Sequence, residues 1–232
     1  MKALILAAGR GERMRPLTDV TAKPLLAVGG KRLIEWQIEA LARAGVREMV
    51  VNTAHLPRQF EDVLGDGSRH GVRLVYSREG DRAEDALETL GGIVRALPRL
   101  GPSAFVVVSG DIVTGYDYAA LNARAGSIDA GAADAHLVLV DNPPFHPRGD
   151  MALAGDRIDP DGEPRLTYAN IGVFAPRLFA GLAPDRAKLF PWLYRVARAG
   201  RVTGEHSAAP WFNIGTPAEL QRADAELRGS PP

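Results

Sequence analysis

Within residues 9–25 the chain gathers Gly9, Gly11, Arg13, Pro16, Thr18, Lys23 and Pro24 directly behind the apolar run Ala3–Ala8. Glycines after a strand-like run leave backbone N–H groups able to wrap around a phosphate or a base edge, and the neighbouring cations could hold the same anion. Such a segment suits the handling of a phosphorylated ligand. The glycines alone would serve a solvated turn equally well. Spacing excludes two common phosphate loops. The third glycine of a dinucleotide fingerprint falls at Met14, and no Walker loop exists because Lys31 is followed by Arg32. Lysine is scarce, with Lys2, Lys23, Lys31 and Lys188 standing against twenty-four arginines, so background usage does not account for Lys23.

Three further segments carry useful groups. Val106–Asp111 ends an apolar run in Ser109-Gly110-Asp111, a carboxylate at the carboxyl end of a strand, where open α/β sheets bind ligands. A lone aspartate there also serves as a turn or helix cap. Leu87–Gly92 sets Glu88, Thr89 and Gly91 just ahead of a helical pattern. Asn213 lies before Thr216-Pro217, a helix start, where its amide could offer a carbonyl oxygen to a cation or cap the turn. Five histidines form no zinc pattern, and the absence of cysteine removes disulfides, thiolate metal sites and a cysteine nucleophile. His206 reads as structural, and Trp36, Trp192 and Trp211 as core aromatics, Trp211 being also the neighbour of the Asn213 segment.

These groups need a scaffold, and the hydrophobic pattern describes one. Ala3–Ala8 reads as a buried central strand, Ile34 to Ala44 as a helix, Met49–Asn52 as a strand and Phe60–Leu64 as a helix. Val72–Tyr76 follows as a strand, Thr89–Leu97 as a helix ended by Pro98, and Phe105–Val108 as another strand. This alternation predicts a mostly parallel sheet with helices on both faces. After Asp111 the strands His136–Val140, Arg165–Phe174 and Val202–His206 are separated by Pro-, Gly- and Asp-rich loops, which predicts a lobe inserted on the sheet. Helices are expected at Leu189–Ala199 and Pro217–Leu227, with a frayed tail over Gly229–Pro232.

The chain has 232 residues, 28 lysines and arginines against 28 aspartates and glutamates, and 46% hydrophobic residues. That balance excludes a nucleic-acid-coating domain and a disordered tail, and the length suits one domain or two packed lobes. The neutrality is uneven: residues 1–32 hold seven cations and two anions, so the acidic excess lies elsewhere. The apolar run at the N-terminus is too short for a signal peptide or a membrane span, so a cytoplasmic protein without nucleic-acid or membrane partners is expected.

Gly9-x-Gly11-x-Arg13-Met14-x-Pro16-Leu17-Thr18 followed by Lys23-Pro24-Leu25 resembles the signature of the sugar-1-phosphate nucleotidyltransferases, and the resemblance extends over essentially the whole chain. Within that family the chain is most similar to bacterial uridylyltransferases acting on N-acetylmuramic acid 1-phosphate in cell-wall recycling. The shared segments are Gly11–Thr18, Gly65–Ser68, Val140–Pro143, Gly149-Asp150 and Gly204–His206. The resemblance implies an α/β, Rossmann-like domain over 1–232. Residues 1–111 would mainly bind nucleotide, and 112–216 would mainly form the sugar-binding half with its small inserted lobe.

In the implied reaction an anionic sugar phosphate attacks the α-phosphorus of a nucleoside triphosphate and releases pyrophosphate. Such a nucleophile needs no general base, so cations and positioning should dominate. The resemblance assigns Arg13, Lys23 and Asp111 as catalytic: Lys23 at the α-phosphate, Arg13 on the leaving pyrophosphate, and Asp111 with Asn213 as ligands of Mg²⁺. Asn213 stands where the closest subfamily has aspartate, which keeps an oxygen donor but removes a charge. Nucleotide contacts are implied for Leu6, Ala7, Ala8, Gly9, Gly11, Glu12, Arg13, Lys23, Glu88, Thr89 and Gly91. Sugar contacts are implied for Ser109, Gly149, Asp150 and Asn170. Arg10 and Arg15 read as solvated or auxiliary.

The expected substrates are a nucleoside triphosphate, UTP favoured, and a sugar 1-phosphate, handled by a monomer or small homo-oligomer. Leu90 in place of the usual Gly or Ala, and the acidic loop Glu79–Ala86, leave other bases open. The alternatives are therefore a guanylyl-, thymidylyl- or other uridylyltransferase for glucose, mannose or heptose 1-phosphate, and, in another class, a non-catalytic nucleotide-sugar sensor.

Overall fold

The computed structural model describes residues 1–229, so the tail expected at Gly229–Pro232 lies, from Ser230 onward, outside the described residues. In chain order the elements are β1 (Lys2–Leu6), α1 (Leu17–Val20), β2 (Ala27–Val28), β3 (Lys31–Arg32), α2 (Leu33–Arg43), β4 (Glu48–Thr53), α3 (Pro57–Leu64), β5 (Arg73–Arg78), α4 (Glu88–Leu100), β6 (Phe105–Ser109), β7 (Ile112–Thr114) and α5 (Leu121–Asp129). There follow β8 (Ala135–Val140), β9 (Met151–Ala154), β10 (Arg157–Asp159), β11 (Arg165–Phe174), α6 (Leu189–Arg198), β12 (Val202–His206), β13 (Trp211–Asn213) and α7 (Pro217–Gly229).

Nine strands form one sheet in the order β5-β4-β1-β6-β11-β8-β12-β10-β9. The first four are parallel, as alternation with helices predicts, and β1 pairs with both β4 and β6. Beyond them both kinds of pairing occur: β12 runs parallel to β8, whereas β11 lies antiparallel to both β6 and β8, and β10 to β9 and β12. The sheet is therefore mixed. Of the strands after Asp111, β8 to β12 continue the same sheet because β11, ten residues long, inserts its apolar stretch beside β6.

Side chains alternate across the sheet as the pleat requires. Ala3 and Ile5 of β1 face a layer with Ile34, Ile38, Phe60 and Leu121, whereas Leu4 faces Ile93, Phe174, Phe179 and Trp192. Trp192 stacks on Phe179 in the core, as expected, whereas Trp36 is partly buried, packing on the core's edge beneath the Lys31 ammonium. A smaller cluster of Met14, Val28, Leu33, Val113, Ile214 and Leu227 ties the glycine-rich segment to α7 and to the two-stranded β7–β13 ladder. Met14 is fully buried there, so within the N-terminal motif its work is anchorage.

Several helices differ from the sequence reading: α3 begins at Pro57 rather than Phe60, α7 runs on to Gly229, and α5 was not expected. Helix α4 passes through Pro98 and ends only at Gly101, whose positive φ of 88° closes it. Proline in a last turn forfeits one hydrogen bond, and the buried Leu100 keeps the turn packed against the sheet.

Candidate active site

The carboxyl ends of β1, β4 and β6 open into a cleft of about 510 Å³ lined by Leu6, Ala8, Gly9, Gly11, Glu12, Glu88, Thr89, Ser109 and Asp111, with Arg10, Asn52, Glu84 and Arg186 beside them. Most of the nucleotide-site expectations therefore converge in space. Open sheets bind ligands at this edge because strand ends and helix N-termini leave backbone donors there. No atom stands within 4 Å of where a Cβ on Gly9 would be, so its backbone is open to a ligand. Gly11 has a φ of 69° and packs against Lys23 and Thr18, 3.1 Å from where its Cβ would be. A side chain there would be both strained and crowded.

The segment carrying Lys23 is fixed from below. The Thr18 hydroxyl donates to the Gly11 carbonyl at 2.9 Å, the His55 ring meets the Thr18 carbonyl at 2.7 Å, and Gln59 accepts from the Ala22 amide at 3.0 Å. Lys23 is 9% exposed, and its ammonium lies 2.5 Å from Oδ2 of Asp111. The three arginines of the loop differ. Arg10 pairs with Glu12 and Asp19, and Arg15 pairs with Asp19. Arg13 is exposed and has no hydrogen-bond or ion-pair partner among the described residues. Its guanidinium lies against Gly215, 2.7 Å from where a Cβ would stand. Arg13 is thus the free cation of this loop, and Gly215 makes room for it.

Asp111, near the middle of the chain, and Asn213, close to its C-terminus, are brought together through the β7–β13 ladder. Asn213 pairs with Ile112, and the Ile214 amide donates to the Asp111 carbonyl at 3.0 Å. Oδ1 of Asp111 and the Asn213 carboxamide have no protein partner among the described residues. Asn213 does not cap the turn before α7; the Thr216 hydroxyl accepts the Glu219 amide there instead. Two unpartnered oxygen donors on adjoining strands fit Mg²⁺, which keeps waters and substrate phosphates as its other ligands. No group of three or more acidic, histidine or cysteine residues suited to a metal occurs among the described residues.

Two functional groups escaped the sequence reading. Asn52, at the end of β4, accepts the Ala7 amide at 2.6 Å and donates to Oε1 of Glu79 at 2.5 Å, while Oε2 of Glu79 accepts the Leu87 amide at 2.7 Å. This buried relay fastens the glycine-rich loop to the start of α4. Burial pushes the Glu79 carboxyl up, while the Leu87 amide and then the Asn52 amide pull it down. The usable signal was position, since both residues stand where β4 and β5 end at the ligand edge. Glu79 thus turns inward as the root of the acidic loop, and Asp85 is spent on the Asp81 and Arg82 amides. Leu90 is buried beside Ile93 in the core and lines no part of the cleft.

Gly91 also lies outside the cleft, beneath the segment 185–187. A Cβ on it would overlap the Asp185 carbonyl oxygen, and Ala187 is tied to α4 by hydrogen bonds with Leu87, Leu90 and Gly91. Its place is to let that segment approach.

A second hollow of about 260 Å³ adjoins the first across Leu6, Glu88, Thr89 and Ser109, and is closed by Tyr168, Asn170, Lys188 and Phe190. Ser109 and Asn170 of the sugar expectations meet here. Asn170 sits where the β11 register shifts, with a φ of 59°, and Glu88 has 61°. Left-handed backbone is uncommon outside glycine and gathers at functional sites. Gly149 and Asp150 are not brought to this hollow. They line a separate depression with His146, Arg148 and Arg165, where the Asp150 carboxylate accepts the Tyr168 amide at 2.8 Å and meets His146 at 3.1 Å. Asp150 thereby supports the strand that carries Tyr168. Trp211 donates to the Ala169 carbonyl at 3.0 Å and lines neither space, and His206 meets Asp141 at 2.9 Å. No helix among the described residues is long and apolar enough to cross a membrane.

The family model described as nucleotidyl transferase matches residues 2–149. The chain is 48% identical over 229 residues to an N-acetylmuramate alpha-1-phosphate uridylyltransferase of Neisseria meningitidis, covering 97% of each chain. It is 34% identical over 235 residues to one of the same name from Caulobacter vibrioides, covering 97% of this chain and 96% of that one. In fold it is similar to a Bacillus anthracis protein assigned as a glucose-1-phosphate thymidylyltransferase, with a TM-score of 0.83, 23% identity, and 98% and 95% of the two chains covered.

Proposed function

The chain belongs to the nucleotidyl transferase family, and from that premise we propose that it transfers the uridylyl group of UTP to N-acetylmuramic acid 1-phosphate, giving the UDP-sugar and pyrophosphate. It is an enzyme of the sugar-1-phosphate nucleotidyltransferase type. The observation that carries the reading is the part-buried Lys23–Asp111 pair at the mouth of a cleft lined by glycine-rich backbone. The substrates are taken from the names of the two relatives covered almost end to end. UTP and a cell-wall sugar phosphate point to cytoplasmic recycling as the setting.

The sugar phosphate arrives already ionised, so the residues need only align it and neutralise charge. Residues 1–111 hold the nucleotide. Leu6, Ala7, Ala8, Gly9, Gly11 and Glu12 shape the base and phosphate cradle, Glu88 and Thr89 bound it, and Gly91 holds the segment above α4. Lys23 leaves Asp111 for the α-phosphate, an exchange its flexible stem permits. Arg13, free of carboxylate partners, takes the leaving pyrophosphate. Asp111 and Asn213 would hold Mg²⁺, which when bound offsets negative charge on the phosphate oxygens. Residues 112–216 mainly hold the sugar, with Asn170 and, from the end of β6, Ser109 in direct contact, Asp150 supporting Tyr168 and Gly149 turning the chain into it.

Pyrophosphate release measured with each of four nucleoside triphosphates against a panel of sugar 1-phosphates tests the reading. Fastest release with UTP and N-acetylmuramic acid 1-phosphate is expected. Fastest release with another pair would replace the substrates, and nucleotide binding without any release would replace the enzyme by a sensor.

A further inference from the structure

The segment 186–188 divides the two spaces. Ala187 is its fixed point: its amide donates to the Leu87 carbonyl at 2.9 Å, and its carbonyl accepts the Leu90 amide at 2.9 Å. The residues on either side therefore serve different spaces. Arg186 lines the larger cleft and Lys188 lines the smaller hollow. Lys188 is the one cation among the described residues lining that hollow. It is exposed and has no hydrogen-bond or ion-pair partner among the described residues. The carboxylate that shares the hollow, Glu88, faces Arg186 at 3.6 Å. The hollow's other polar side chains, including Ser109 and Asn170, are uncharged.

An unpartnered ammonium in a largely apolar hollow, apart from the Lys23–Asp111 pair, suits a negative charge on the substrate other than its reacting phosphate. We propose that Lys188 binds a carboxylate carried by the sugar, so that the hollow selects an acidic sugar 1-phosphate over its neutral counterpart. The assignment rests on the reading of the site given above. N-acetylmuramic acid 1-phosphate is N-acetylglucosamine 1-phosphate bearing a lactyl ether, and the carboxylate of that ether is the charge that distinguishes the two. Because the contact is remote from the reacting phosphorus, it acts in the ground state and the transition state alike and is expressed chiefly in KM.

The test compares kcat/KM for the two sugar phosphates, with saturating UTP, in the wild type and in Lys188→Ala and Lys188→Glu. The wild type should prefer the acidic sugar. Lys188→Ala should lower the acidic-to-neutral preference ratio about tenfold or more, the loss expected of a hydrogen bond to a charged group, and Lys188→Glu should lower it further. An unchanged ratio, whether both sugars lose equally or neither changes, would overturn the assignment of Lys188 while leaving the uridylyltransferase reading intact. A wild type that prefers N-acetylglucosamine 1-phosphate would overturn the acidic substrate itself, and the assignment with it.

Discussion

Lys23 and Asp111 stand 88 positions apart in the chain, yet their side chains meet at 2.5 Å where the glycine-rich loop faces the end of β6. Each neutralises the other in the free protein, and on the proposed mechanism each is released when phosphates and a cation arrive. The pair thus stores the two charges that the transfer needs next to the cleft, with Lys23 largely out of water.

Lys23→Ala should therefore lower kcat by roughly 100- to 1000-fold, the loss seen when one preorganised electrostatic donor is removed. Lys23→Arg should recover little of it, because a planar guanidinium does not replace a compact ammonium on a flexible stem. Pyrophosphate release checks both, and full turnover in Lys23→Ala would remove the mechanism.

Gly91→Ala should act through the segment above it. The new methyl would overlap the Asp185 carbonyl and stand 2.9 Å from Leu87 Cβ, so the segment held by Ala187 must lift. A stability loss of about 1–3 kcal/mol is expected from overpacking, with a raised KM for the sugar phosphate. Urea unfolding and steady-state kinetics measure the two.

Asn213→Asp adds a negative charge beside Asp111 without changing shape. The Mg²⁺ concentration for half-maximal turnover should fall by roughly tenfold, since ligand charge tunes affinity for hard cations. A Mg²⁺ titration of pyrophosphate release decides it, and an unchanged midpoint would remove Asn213 from the cation site.

Asp134 contributes to the acid sensitivity of the fold. Hydrogen bonds from Arg201 and then Arg177, against opposing burial, hold its carboxyl below the usual range, and both arginines also bind nearby carbonyls. A carboxyl with a depressed folded pKa contributes stability above its unfolded value of about 3.9, and that contribution is lost as pH falls through the folded one. Asp134→Asn should be destabilised at pH 7, and its deficit relative to the wild type should shrink below about pH 4. Urea midpoints at the two pH values check the sign.

Much of the site was legible because its signals are local. Gly9, Gly11, Arg13 and Lys23 lie within one short stretch, and Asp111 announces itself as a carboxylate behind an apolar strand. The parallel half of the sheet follows from alternating strand and helix periods. Asn52 and Glu79 were legible only as positions, since nothing local shows that one carboxamide would bridge the Ala7 amide to the root of another loop. Asp150 misled for the opposite reason: its motif is distinct, but its carboxylate is consumed by the Tyr168 amide and His146.

By itself the sequence determined the principal strands and helices, their order and the chemical inventory, because helix and strand periods, glycine spacing and charge type are written in neighbouring residues; the short β7 and β13 and helix α5 were not among them. Tertiary structure alone decided which charges remain available. Arg10 and Arg15 are spent on Asp19 and Glu12 while Arg13 stays free, and Ala187 turns Arg186 and Lys188 toward different spaces. The same applies to β11, whose antiparallel insertion beside β6 made a mixed sheet. The physical reason is common to all three. Which donor meets which acceptor depends on how the folded backbone aims each group, whether the partner is near in the chain, as Asp19 is to Arg15, or far from it, as Leu87 is from Ala187.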